Sequence, residues 1–292
     1  MRSLTVPFNR TKDQTERRIN RQRPKLLIHI TLMVLCFIVG FPMIFSIIKS
    51  TQNLGQIMAY PPNLMFGDRL IENYTTAWNS SNLVRLMSNT ILVAICVTVG
   101  KTVTSMLAAT AFVFFRFPLR GFLFIFVILT LMMPTDILVV ALYRLMGDLR
   151  WTNQFQALVA PFLASATGTL LFRQHFMNIP SELADAAQID GAGPIRYLRS
   201  ILIPLSWNVI GALGMIQFIG VWNQYLWPLL IINDNQRQLV QVALKGITIN
   251  ALDQGNWGVA LAAAVIASIP PLVVFLVLQE SFLRGFALTR DK

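Results

Sequence analysis

Only two cysteines and two histidines occur in 292 residues, and that scarcity removes several chemistries at once. Cys36 and Cys96 both fall inside apolar runs, so they offer neither a disulfide framework nor a ligand spacing. They read as small buried hydrophobes. His29 and His175 belong to no HExxH or His-x-His pattern, which leaves metal hydrolysis and histidine acid–base work without carriers. No Ser/His or Asp/Asp constellation stands in for them, and no GxxxxGK[ST] phosphate loop is present. The expected catalytic set is therefore empty, and so is the expected metal set.

Charge is scarce too. Charged residues make up 13% of the chain and apolar residues 55%, with a mean hydropathy of +0.59. A soluble domain carries about a quarter charged residues. The net charge of +11 does not point to nucleic acid, because the basic residues sit between apolar runs rather than on one groove-reading face.

What is abundant is long apolar sequence. A bilayer core about 30 Å thick needs roughly 20 apolar residues in a helix. Leu26–Ile48 meets that length behind a basic head (Arg17, Arg18, Arg21, Arg23, Lys25). It is too long for a signal-peptide core and lacks a small-residue cleavage site, so a retained anchor is expected. Further spans are expected at Leu86–Phe115, interrupted by Lys101, and at Leu119–Tyr143, Phe155–Phe172, Pro204–Ile232 and Val259–Phe282. The fold class predicted is an all-α membrane protein with six transmembrane helices. A basic tail occupies 1–25, one membrane domain 26–282 and a short tail 283–292.

With six spans the termini share a side. That side collects sixteen of the 24 lysines and arginines and the other side seven, Lys101 lying within a span. The bias predicts both termini in the cytoplasm.

The most informative stretch is Pro180–Pro194, within a cytoplasmic loop at 173–204. Pro180 suits a first helical turn, and Glu182 and Asp185 complement the positive end of the helix dipole. Leu183, Ala186, Ala187 and Asp190 keep helical spacing, Gly191 ends the helix and Pro194 can begin another. In the second helix Ile195, Leu198 and Leu202 would form one apolar face. By periodicity alone this is an interfacial amphipathic hairpin packing on its own spans.

Asp185-Ala186-Ala187, Gly191 four residues later, and Ile201-Leu202-Ile203-Pro204 resemble the EAA motif of ABC importer permeases. Aspartate stands at 185 where that family usually has glutamate. Phe115-Arg116-Phe117-Pro118, Leu171-Phe172-Arg173-Gln174 and Val221–Leu229 resemble the carbohydrate-importer permeases of the MalG type. Within that group the Gly100-Lys101 region, Arg116–Arg120, Ala164–Gln174 and Trp222–Ile231 are most similar to the UgpE type of sn-glycerol-3-phosphate importers.

The resemblance implies a type I ABC importer permease in a bacterial inner membrane. Its coupling helix would dock on a separate ATPase through Glu182, Asp185, Ala186, Ala187, Asp190, Gly191 and Pro204. It implies a homologous second permease subunit, two ATPase subunits holding ATP-Mg, an extracytoplasmic substrate-binding protein, and no cofactor in this chain. The substrate implied is sn-glycerol 3-phosphate or a glycerophosphodiester, with a neutral oligosaccharide as the alternative. An ion-coupled secondary transporter would leave the 182–204 hairpin unexplained.

Two features bear on a substrate pathway. Trp222, Asn223, Gln224 and Tyr225 bring aromatic faces and amides that suit a polyol. They equally suit an interface belt and interhelical bonding. Lys101, an ammonium inside a span, must face a partner or a watery cavity. It could draw in a phosphate or pair with Asp136.

Overall fold

The computed structural model describes residues 10–80, 82–133 and 135–287, with side chains at 26–79, 82–133, 138–251 and 253–285. Among these residues there is no strand. Helix α1 (Arg10–Lys49) contains the first apolar run and is followed by the short α2 (Leu54–Ile57) and by α3 (Leu70–Ser80). The long α4 (Leu83–Phe114) precedes α5 (Arg120–Thr130) and α6 (Thr135–Asp148). Helix α7 (Phe155–Val159), extended by a 3-10 turn to Phe162, leads to α8 (Ala166–Met177) and α9 (Ser181–Ile189). A second hairpin arm starts with α10 (Pro194–Tyr197) and continues through a π turn to α11 (Ile203–Leu205). Then come α12 (Trp207–Trp222), α13 (Leu226–Ile231), α14 (Val240–Gln254) and α15 (Trp257–Ala287).

Among the described residues three helices are long and apolar enough to cross a membrane: Leu26–Lys49, Leu83–Phe114 and Trp257–Gly285. Two further candidates are bent pairs. Phe155–Phe162 and Ala166–Met177 meet at 42°, and Pro194–Leu205 and Trp207–Trp222 at 78°. The expected fourth and fifth spans are thus broken helices, and the reasons are local. Pro161 withholds a backbone donor, and Ser165 restarts the helix by accepting from Gly168 N. At the second bend Ser206 donates its hydroxyl to Leu202 O. The fifth run also unwinds at Asn223–Tyr225 before α13. The expected third run is two helices, α5 and α6, on either side of residue 134. Helix α14 lies in a stretch expected to be an external loop.

The core forms where α12 packs along α15 and where α4 packs on α8 and α12. Without a hydrophobic drive between helices in lipid, close approach depends on small side chains. Gly211 of α12 sits against Ser281 of α15, and Gly285 against the backbone oxygen of Asn208. Ala260, Ala262, Ala263 and Ala267 are buried on α15, whereas Ala264 is exposed. Cys36 and Cys96 also depart from expectation: both are exposed on outward helix faces. No part of the apolar stretch of α1 is buried within this chain, so that surface is free for lipid or another subunit.

Beyond α1 the chain is tied by a buried polar knot. Lys49, Ser50, Thr51, Gln52 and Asn73 are all buried. Asn73 Nδ2 donates to Ser50 O (2.9 Å) and Gln52 O (3.1 Å), and Gln52 Nε2 donates to Asn63 O and Met65 O. Replacing Asn73 by leucine removes the donors of both carbonyls, at about 1–3 kcal/mol for a buried group left unpaired. The expected result is a clearly lower melting temperature of the purified protein in detergent. Unchanged melting would mean that the knot contributes nothing.

Candidate coupling surface and membrane cavity

Helix α9 begins after Pro180, with Glu182 in its first turn, and ends in a Schellman arrangement. Ala192 N donates to Ala187 O (2.8 Å) and Gly191 N to Gln188 O (3.0 Å). That closure requires a left-handed residue, and Gly191 supplies it with φ +71°. One side of α9 is turned inward: Ala187 is buried in a cluster with Phe172, Phe176, Tyr197, Leu202 and Met106, with Ala184 and Ala192 packed against it. Phe114, at the end of α4, meets Tyr197 edge-on at 5.3 Å and Phe176 at 6.2 Å.

The other side faces out. Glu182, Asp185, Ala186, Asp190 and Gly191 are exposed, as is Pro204 farther along at the bend. Ile189 is 87% and Ile195 80% exposed, two large apolar groups flanking the elbow with nothing of this chain over them. Ile195 was expected to share one apolar face of the second helix with Leu198 and Leu202, and within this chain it is not covered. The buried side chains of this arm are Leu202, as expected, and Tyr197, because the π turn at Leu198–Leu202 sets them on one side. A cavity of about 220 Å³ separates the inner face of the hairpin from Thr110, Phe114 and Phe115 of α4.

The second constellation lies within the bundle. Lys101 of α4 donates from Nζ to Gln217 Oε1 of α12 at 3.0 Å. Gln217 Nε2 in turn donates to Ser165 Oγ at 3.2 Å. A cavity of about 130 Å³ opens beside them, lined by Lys101, Phe162, Gln217, Gly220, Val221 and Gln224. The side chain of Asp136, weighed above as a partner for Lys101, lies outside the described ones.

Of the aromatic and amide segment, only Gln224 reaches this cavity. Trp222 is 1% exposed and stacked on Phe218 at 5.8 Å, inside the core. Asn223 is exposed and accepts from Gln241 Nε2 at 3.4 Å, and Tyr225 lies under Lys245 Nζ at 4.9 Å. Gln217 and Ser165 escaped the sequence reading. An amide in an apolar helix is a readable signal, but its partner is 116 residues away.

Residues 101–287 match the family of binding-protein-dependent transport system inner membrane components. The chain belongs to this family. It is the membrane component of an ABC transporter and not an enzyme. The permease is 39% identical over 277 residues to the sn-glycerol-3-phosphate transport system permease protein UgpE of Brucella melitensis, covering 92% of this chain and 98% of that one. It is 40% identical over 271 residues to the UgpE of Rhizobium meliloti (90% and 96%), and 38% identical over 272 residues to that of Salmonella typhi (91% and 97%). Its fold is that of a type I ABC permease. It superposes with a TM-score of 0.77 at 19% identity on a bacterial ABC transporter involved in import of the acidic polysaccharide alginate, covering 95% of this chain and 100% of that one.

Proposed function

We propose that the permease is one transmembrane half of an ATP-driven importer of sn-glycerol 3-phosphate, held in a bacterial inner membrane with both termini in the cytoplasm. The observation that carries the substrate is likeness along nearly the whole length to permeases named for sn-glycerol 3-phosphate transport. The excess of lysine and arginine on the side of the termini supports the orientation. Six crossings follow if the α5–α6 segment joins the five candidates as one span. The domain limits are then 26–282 for the membrane domain and 173–204 for the coupling loop.

In this reading α9 is the coupling helix. Its exposed Glu182, Asp185, Ala186, Asp190 and Gly191, flanked by uncovered Ile189 and Ile195, form the surface that enters an ATPase subunit. Ala187 faces inward, and Pro204 stands where the loop turns back into the membrane. Movement of the hairpin reaches the spans through Tyr197, Phe114 and Phe176, which pack it against α4 and α8. Contact among these aromatic rings carries displacement of the hairpin to α4 and α8.

The partners are a second permease, two ATPase subunits holding ATP-Mg, and a substrate-binding protein. A solved alginate transporter of the same fold is in complex with a periplasmic protein, which supports that last partner. The transport route passes Lys101, Gln224, Asn223 and Tyr225, with Trp222 behind them as a buried support.

The test is uptake of labelled sn-glycerol 3-phosphate into vesicles carrying the assembled complex and its binding protein. Uptake is expected to need ATP and to be outcompeted by unlabelled substrate but not by a neutral oligosaccharide. Uptake that persists without the ATPase subunits, or a preference for the oligosaccharide, would overturn it.

A further inference from the structure

We infer that the cavity beside Lys101 is a phosphate-binding subsite on the transport route, and that Gln217 is the residue that positions Lys101 for it. This inference rests on the reading of sn-glycerol 3-phosphate as the substrate.

A lysine ammonium has three N–H donors and no acceptor. One of them is committed to Gln217 Oε1 at 3.0 Å. Among the described side chains no carboxylate forms an ion pair with Lys101. Among the described side chains the cavity beside it is lined by this one cation, by the amides of Gln217 and Gln224, and by no anion. Its volume of about 130 Å³ far exceeds the roughly 10–15 Å³ that one water needs. A tetrahedral phosphoryl group with water beside it fits such a space.

The amide of Gln217 is held in a fixed sense. Its Nε2 donates to Ser165 Oγ at 3.2 Å, and Ser165 is itself set as the cap of α8 by accepting from Gly168 N at 3.1 Å. With Nε2 so engaged, Oε1 is turned to Lys101 and draws the ammonium to the cavity edge. Two donors remain for an incoming oxyanion. Gln217 and Gly220 lie one turn apart on α12, Gln224 joins them from the unwound segment beyond its end, and Gly220 has no neighbour within 4 Å of where a Cβ would stand, so the wall stays open. Phe162 supplies an apolar side for the carbon skeleton.

The energetics favour an anion over a neutral polyol. Keeping an ammonium inside a span is costly. A phosphate entering the cavity offsets that cost by charge-assisted hydrogen bonds in a poorly screened setting. A neutral sugar gives no such return.

The experiment uses the full complex in vesicles, with sn-glycerol 3-phosphate uptake measured against substrate-loaded binding protein. Lys101→Gln and Gln217→Leu are each expected to assemble in normal amounts and to lower the maximal rate about tenfold or more, the scale of one lost hydrogen bond to a charged group. Lys101→Arg should retain much of the rate. The double variant should be no worse than the poorer single one, because both changes disable one subsite. Wild-type rates in both single variants would overturn the inference, as would losses that multiply in the double variant. Failure of both single variants to assemble would also overturn it, by making the pair structural. If the wild-type complex does not move sn-glycerol 3-phosphate at all, the substrate reading falls and takes this inference with it. Wild-type uptake with unaffected variants removes this inference alone.

Discussion

Valine at position 191 is expected to leave the importer assembled but unable to convert ATP hydrolysis into uptake. Space is not the obstacle, because no atom lies within 4 Å of the position a Cβ would take. The obstacle is backbone conformation. At φ +71° an L-residue pays about 1–2 kcal/mol, and a β-branched side chain is worse suited still. Relief comes by rotating out of the left-handed region, which breaks the bonds of Gly191 N and Ala192 N to the end of α9. The angle between α9 and α10 then changes, and Ile189 and Ile195 no longer share the one surface proposed to enter the ATPase. Uptake should fall about tenfold or more for two hydrogen bonds and the helix end they hold, with ATPase turnover continuing. Gly191→Asn should keep most of the uptake, since asparagine tolerates this conformation. The measurement is uptake per ATP hydrolysed. A valine variant with wild-type coupling would remove the elbow from the mechanism.

Gly211→Val is expected to have the largest effect on folding itself. A Cβ there would lie 2.5 Å from Ser281 Cβ, and one added at Gly285, one turn along the same seam, would lie 2.9 Å from Asn208 O. The nearest atom is the first carbon of a side chain, which has no rotamer to move into. Helix α15 must move off α12, and with it the buried row Ala262, Ala263 and Ala267. Overpacking of this kind costs about 1–3 kcal/mol in a tight core, and in lipid no hydrophobic drive restores the contact. The amount of purified complex should drop sharply for Gly211→Val and moderately for Gly211→Ala. Adding Ser281→Gly to the alanine variant should restore it. Absence of rescue would mean that the seam is not limited by this pair.

How far the sequence could be read differs from element to element, for physical reasons. The first, second and sixth apolar runs became continuous helices close to the expected limits, because a long run of apolar residues has one way to satisfy its backbone in lipid. The fourth and fifth runs share that hydropathy but carry Pro161, Ser165, Ser206 or Asn223, whereas the sixth stays continuous through Pro270 and Pro271. Whether such a residue kinks or breaks a helix depends on which neighbour takes the freed backbone groups. The hairpin was legible down to Gly191, since its caps are local chemistry. Its second arm was not: the π turn is a tertiary adjustment that moved burial from Ile195 to Tyr197.

By itself the sequence determined the helical membrane class, the charge asymmetry and the elbow at 180–194, all of which depend on neighbours within a few turns. Only the tertiary structure decided that Gln217 meets Lys101, that Trp222 is buried, and that α4 backs the hairpin. Those outcomes hang on contacts between helices that lie far apart along the chain. Periodicity says which face of a helix is apolar, not which other helix will cover it.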